Sequence, residues 1–441
     1  MKQVIAILFN LVVCSLGGFT SSIEEISLLV KVQMVGNTLL FVFPRPKRFI
    51  SIGLVFYLLL CIFHFGRLIY SSSVPFPSVP YGILLNSFKF SLIAISCIVI
   101  GYLLYVNRKS ADVSVTEIEI DDALTKKIRV ISFWIIGLTI IPLIYIGFIK
   151  IQFSLANGYV GINTLGDENA FVKYAGTFTS FTRPAVLLLM LSYYKFQKKA
   201  RNVLIIFCLY SLLEMLSGAR ATSMIYIIAS LILYLRLFSY KKSNLFVVLF
   251  FVFSTLYMLP SISIVRQGTY TVKDVISATG EVRAEGGQLD ALLTEFGGTQ
   301  ISVAYALQFT NNFNHGLTYL VSLINISPKI PESLLPIISN DLTYTNSFPS
   351  DYSYTLGGSC IGEAYYNFGW FGLFFALLIG VLIGKVDIGL CTITKKNIYK
   401  TIMFIAGVPF ILLWVRGFFC SMVFPMFWVP LLYRFFIKNL K

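Results

Sequence analysis

The sequence predicts an all-α polytopic membrane protein of about twelve transmembrane helices with one large outward loop. Three observations predict it. Of 441 residues, 57% are hydrophobic and 12% are charged, where a soluble domain carries roughly 25% charged residues. Apolar runs of about 20 residues recur from end to end, the length that crosses a ~30 Å hydrocarbon core as a helix. Basic residues gather at every second connection between those runs, as cytoplasmic loops require. Backbone amides in hydrocarbon must bond within their own segment, and a membrane β-barrel would show ~10-residue alternating segments instead.

The predicted spans are 4–20, 26–43, 49–69, 84–106, 130–149, 174–194, 202–217, 221–238, 245–264, 364–384, 401–416 and 418–436. The chain starts inside at Lys2. The first run resembles a signal peptide, with small residues Ser15, Gly17 and Gly18 at its end, but the alternation of basic loops holds only if it stays as a helix. The second span carries Lys31 and Gly36 and returns the chain to Arg45, Lys47 and Arg48. Later even-numbered spans return it to Arg108–Arg129, Lys195–Arg201, Arg236–Lys242, Lys385–Lys400 and Arg434–Lys441. Both termini are therefore expected in the cytoplasm. The chain divides into helices one to nine (1–264), an outer loop (265–363) and helices ten to twelve (364–441).

The net charge of +15 records this orientation and implies no nucleic-acid partner; the surroundings are a lipid bilayer. The seven cysteines, Cys14, Cys61, Cys97, Cys208, Cys360, Cys391 and Cys420, are scattered without a CxxC. Only Cys360 falls on the outer side, so neither a disulfide framework nor a zinc site is implied.

Three outer segments stand out: 150–173, with Asn163, Asp167, Glu168 and Asn169; the tight turn Ser217-Gly218-Ala219-Arg220; and the loop 265–363. Loops beyond ~15 residues are usually functional or disordered. This one has Tyr, Phe, Leu and Ile throughout, which favours order, with Asp290–Gln308 expected as a helix on or near the membrane surface. Ile326–Pro331 is a turn-rich break.

Arginines on the outer side oppose the positive-inside bias and need a local reason. Arg220 follows Gly218-Ala219, small residues that let a bulky ligand approach, and guanidinium forks bind phosphate oxygens bidentately. Its blander account is snorkelling, or pairing with Glu214 in the same hairpin. Arg266, just past the ninth span, Arg416 at the end of the eleventh and Arg183 in the outer half of the sixth complete the set of candidate anion ligands. Arg283 stands between Glu281 and Glu285, either on a solvated ion-paired face or holding substrate.

His315, in Asn311-Asn312-Phe313-Asn314-His315-Gly316, is a candidate proton acceptor, the role imidazoles most often fill in general-base catalysis, although a lone loop histidine is commonly incidental. His64, in the third span, reads as a packed residue. Glu363 opens the stretch Gly362–Gly372, where the long loop re-enters the membrane. It is a candidate general base, with helix capping as the alternative. Tyr365 and Asn367 of the same stretch are candidates for holding substrate. There is no P-loop, no HExxH and no outer-loop DxD pair, so metal-dependent nucleotide-sugar chemistry is not expected.

The layout, the Ser217–Arg220 turn, the hundred-residue outer loop and the Gly362–Gly372 stretch together resemble the bacterial O-antigen (oligosaccharide repeat-unit) polymerases of the Wzy type. The resemblance implies a GT-C-like membrane fold and an inverting, metal-independent glycosyltransferase that needs no cofactor. Such an enzyme moves a growing glycan from undecaprenyl diphosphate to the non-reducing end of a newly flipped repeat unit, at the outer face of the bacterial inner membrane. A flippase and a chain-length regulator are the implied partners. Diphosphate binding maps onto Arg220 and Arg266; related lipid A–core ligases use an outer-loop histidine, which maps onto His315. Whether Glu363 or His315 is the base stays open. The other readings are a lipid-linked oligosaccharide flippase, for which no repeat between halves is seen, the sister ligase, and a membrane scaffold.

Overall fold

The computed structural model describes residues 2–42, 51–70, 76, 78–109, 117–168, 176, 178–218, 220–238, 246–255, 288–310, 312–324, 343–349 and 356–439. A helix covers at least part of every predicted span. The first half of the chain contributes α1 (Lys2–Phe19), α2 (Ile23–Val42), α3 (Ile52–Tyr70), α4 (Tyr81–Lys109) and α5 (Asp122–Glu168). Then come α6 (Thr182–Ser192), α7 (Gln197–Met215), α8 (Arg220–Leu237) and α9 (Phe246–Thr255). The long loop contributes α10 (Gln288–Phe296), α11 (Gln300–Phe309) and α12 (Leu317–Ile324). The chain closes with α13 (Cys360–Phe368), α14 (Gly372–Gly389), α15 (Ile398–Leu413), α16 (Phe419–Val423) and α17 (Val429–Asn439). Among the described residues seven helices are long and apolar enough to cross a membrane; α1, α6 and α9 are shorter apolar helices.

The chain forms two compact units, and each draws on separated stretches. They cut across the three-part division expected from chain order, because helices far apart in sequence share a bundle.

Unit 1 comprises 1–115, 293–391 and 411–424. Its centre is the crossing of α4 with α14. A Cβ on Gly380 would run into the Ile98 carbonyl, and one on Gly101 into the Leu377 carbonyl, so the two backbones touch where glycine leaves room. Asp387 at the end of α14 accepts from the Ile52 amide at 3.0 Å and from the Tyr102 hydroxyl at 2.6 Å. Its carboxylate thus caps α3, whose first amides have no intrahelical partner. The helical stretch of the long loop is packed inside this unit. Gln300 bonds Ser91 at 2.9 Å and Ser87 at 3.2 Å on α4, and Val303, Ala304 and Ala306 are fully buried. The expected surface helix is therefore a buried one, admitted by close backbone contact of Gly66 with Leu293 and of Gly297 with Arg67.

Unit 2 comprises 116–292, 392–410 and 425–441. α5 is one helix through Glu168, where a loop was expected from residue 150. α5 packs on α6 through the Thr182–Thr139 hydroxyl bond of 2.7 Å, and Tyr433 of α17 donates to the Phe181 carbonyl at 2.7 Å. At one end the basic connections converge. Strands β1 (Glu117–Glu119) and β2 (Thr392–Thr394) pair in parallel, with Ile118 opposite Ile393. Lys195 pairs with Asp122 at 2.6 Å and Lys395 with Asp121 at 3.8 Å, and Tyr234 bonds Gln197. Connections assigned independently to the cytoplasm by their charge are thus neighbours in space.

Candidate functional site

In unit 2 charged side chains of α5, α6 and α7 meet beside Ser223 and Tyr226 of α8. Arg183, in the first turn of α6, donates through Nη2 to both Glu214 oxygens, at 2.5 and 2.7 Å. Its guanidinium lies 3.8 Å from the centroid of the Tyr226 ring on α8, a cation–π contact strengthened by poor hydration. Ser223, one turn after Arg220, donates to Glu214 at 3.3 Å. Lys150 on α5 feels the charges of both Glu214 and Arg183. Arg220 stands at the first position of α8 and is 4% exposed, directly after a turn in which Gly218 has φ 83°. That φ is unstrained only for glycine, and it reverses the chain so that Arg220 opens the helix. Glu214 and Arg220 each lie about 25 Å along their helices from the lysine-rich end at ~1.5 Å per residue, close to the far side of a ~30 Å core.

In unit 1 the site forms where the long loop enters α13. Ser359 caps that helix: its Oγ accepts from the Ile361 and Gly362 amides at 3.2 and 3.1 Å. The same hydroxyl lies 2.7 Å from His64 Nε2, while His64 Nδ1 is 3.0 Å from the Leu60 carbonyl. The carbonyl can only accept, so Nδ1 carries the proton and Ser359 donates to Nε2; His64 is a packed, neutral residue. Glu363 has no exposed surface. Its carboxylate accepts from the Phe419 amide at 3.0 Å and from the Trp414 indole at 3.4 Å, pinning the link between α15 and α16. Arg416 lies within that link, its guanidinium 5.6 Å from the Phe63 ring and its Nε beside Gly357. Burial, reinforced by Glu363, holds the nearby Tyr319 hydroxyl well above the usual tyrosine range.

His315 is exposed at the tip of a turn over α13. It has φ 48°, Gly316 has φ 84°, and the Leu317 amide donates to Asn314 O at 2.8 Å, the pattern of a type I′ turn. The His315 amide donates to the Asn367 carbonyl at 2.8 Å. Asn367 is buried, its side chain bonded to Thr318 at 2.7 Å and to the Glu363 carbonyl at 2.9 Å. It therefore anchors the histidine turn. Tyr365 is half-buried, edge-on to Phe90 at 5.0 Å and to Phe313 at 5.9 Å.

The candidates thus gather in two sets: Glu363, Asn367, Tyr365, His315 and Arg416 in unit 1, and Arg183 with Arg220 in unit 2. Arg266 and Arg283 lie outside the described residues. Glu214, considered in sequence as a partner for Arg220, pairs instead with Arg183. The sequence signal for Lys150 is only that of a lysine ending an apolar run on the outer side.

No curated protein and no solved structure matched the chain. The family model of the O-antigen polysaccharide polymerase Wzy matches residues 3–440. With an all-helical membrane architecture and an arginine buried at a helix start, that match over nearly the whole chain means that the protein belongs to the O-antigen polysaccharide polymerase Wzy family.

Proposed function

We propose that this protein polymerises undecaprenyl-diphosphate-linked oligosaccharide repeat units at the outer face of the bacterial inner membrane, as a twelve-helix, GT-C-like glycosyltransferase with cytoplasmic termini. The acceptor sugar hydroxyl attacks the anomeric carbon of the growing glycan. The bond from that carbon to the diphosphate oxygen breaks with inversion, and its electron pair leaves with undecaprenyl diphosphate. Negative charge grows on the leaving oxygen, and fixed cations stabilise it best where water is scarce. The reaction needs no metal and no nucleotide in this scheme; a flippase supplies the repeat units and a regulator sets their number.

The observation that carries this reading is Arg220, buried at the first position of an apolar 18-residue helix. A helix N-terminus and a guanidinium both favour phosphate. Arg266 and Arg416 are assigned to anionic groups of the substrate. Arg183 contributes its charge while held by Glu214. For the proton, His315 is favoured over Glu363: the imidazole is exposed, whereas both Glu363 oxygens are occupied by the link that carries Arg416. Glu363 is then a positioning residue. Arg283 and Tyr365 are assigned to substrate, and Asn367 acts through the turn it anchors.

The test is substitution of Arg220. Arg220→Ala should abolish long glycan chains on lipopolysaccharide gels at normal protein level. Arg220→Lys should restore only short ladders, since a lysine keeps the charge but loses the bidentate fork. A normal ladder from Arg220→Ala would sink the phosphate assignment.

A further inference from the structure

Glu214 has two oxygens, and both are taken by Arg183, one of them shared with Ser223. Lys150 is half-buried on the apolar part of α5 and has neither a hydrogen bond nor an ion pair among the described residues. It is nevertheless close enough to Arg183 and Glu214 for their charges to act on it. The α5 and α7 helices meet at this level, where the Tyr210 hydroxyl lies 3.4 Å from the Cβ position of Gly147, one turn before Lys150. Among the described residues two further donors of α6 and α7 are buried without a partner: Arg183 Nε, and the hydroxyl of Ser211, one turn before Glu214. A like-charged lysine and arginine share one carboxylate, which leaves one positive charge uncompensated by these three groups. Charges inside a membrane bundle are retained at a cost and ordinarily face a partner. A structural ion pair would need only Arg183 and Glu214.

We propose that Lys150 is a further ligand for the anionic leaving group, contributing with Arg183 to the site for a prenyl-linked diphosphate that Arg220 serves. The inference rests on the assignment of Arg220 to diphosphate. It adds a residue on α5, and it gives Glu214 the task of aiming Arg183 while leaving Lys150 for the ligand. A diphosphate offers several acceptor oxygens and at least two negative charges. It therefore satisfies the lysine, Arg183 Nε and Ser211 Oγ together, which a single water cannot.

The experiment uses the full-length protein in phosphatidylcholine nanodiscs and measures calorimetric binding of farnesyl diphosphate, farnesol and inorganic diphosphate. Lys150→Gln should weaken farnesyl diphosphate roughly ten-fold, or about 1.4 kcal/mol, and leave farnesol unchanged. Lys150→Arg should stay within about three-fold of the parent. Without ligand, the thermal midpoint of Lys150→Gln should not fall, because a charge with no ion pair among the described residues has been removed from an apolar setting. If Lys150→Gln binds farnesyl diphosphate like the parent while Arg220→Ala does not, the role of Lys150 is overturned and that of Arg220 stands. If Lys150→Gln loses stability and affinity for farnesol as well, Lys150 is a packing residue. If inorganic diphosphate binds as tightly as the farnesyl ester, the ligand is a free anion and not a lipid. If the parent does not distinguish farnesyl diphosphate from farnesol, the diphosphate reading itself falls.

Discussion

His315 and Glu363 are the two candidate proton acceptors, and substitution separates them. His315→Asn keeps a residue that tolerates a left-handed backbone, so the turn and the thermal midpoint should be preserved while polymerisation falls by about 10² or more, as loss of a general base predicts. Glu363→Gln replaces one acceptor by a donor facing the Phe419 amide and the Trp414 indole. It should lower stability by about 1–3 kcal/mol and turnover with it. Thermal unfolding in detergent beside gel ladders reads both. Unchanged stability with lost turnover in Glu363→Gln would return the base to Glu363. At this scale the sequence was informative where charge meets an apolar run, as at Arg220 and Glu363. It was silent on partners: Arg183 and Glu214 lie on different helices, and no spacing encodes that they meet. Lys150 looked like the end of a span because its helix looked finished there.

That helix shows why elements were legible and their ends were not. Apolar runs located the helices, because burial in lipid demands both apolarity and internal hydrogen bonding. Polar residues end an apolar run, but they do not end a helix. From Pro142 to the end of α5 there is no second proline, and α5 continues for about 70 Å in total at ~1.5 Å per residue. The long loop was legible as helical near 290–308, but not as buried, because its apolar residues suit either a membrane surface or a protein groove. The α4–α14 crossing was not visible in either helix alone. It depends on glycines of one lying against carbonyls of the other. Gly380→Val should force these backbones apart and lower both the yield and the thermal midpoint of the folded protein, whereas Gly82→Ala, where an added Cβ meets nothing within 4 Å, should be tolerated. Equal behaviour of the two variants would contradict backbone contact as the source of the packing.

For the whole molecule, the alternation of basic connections predicts sidedness, and the convergence of three of them in unit 2 supports it. In a cysteine-free background, Lys395→Cys should react with a membrane-impermeant maleimide only after the cells are permeabilised, whereas His315→Cys should react in intact spheroplasts. Labelling of Lys395→Cys from outside would invert the assigned topology. The interleaving of the two units was not legible. Charge and hydropathy order helices along the chain, but which of them bundle together is decided by side-chain contacts between distant segments.

The pairing of β1 with β2 has a consequence for biosynthesis. One strand leaves the ribosome long before the other, and during that interval helices α5 to α14 are made and inserted. The ribbon cannot zip until residues 392–394 have been made, and unit 2 also waits for residues 392–410 and 425–441. Assembly of that unit is therefore gated by segments translated long after its first helices. A ribosome that stops before residue 392 leaves β1 without its partner strand and Asp121 without Lys395.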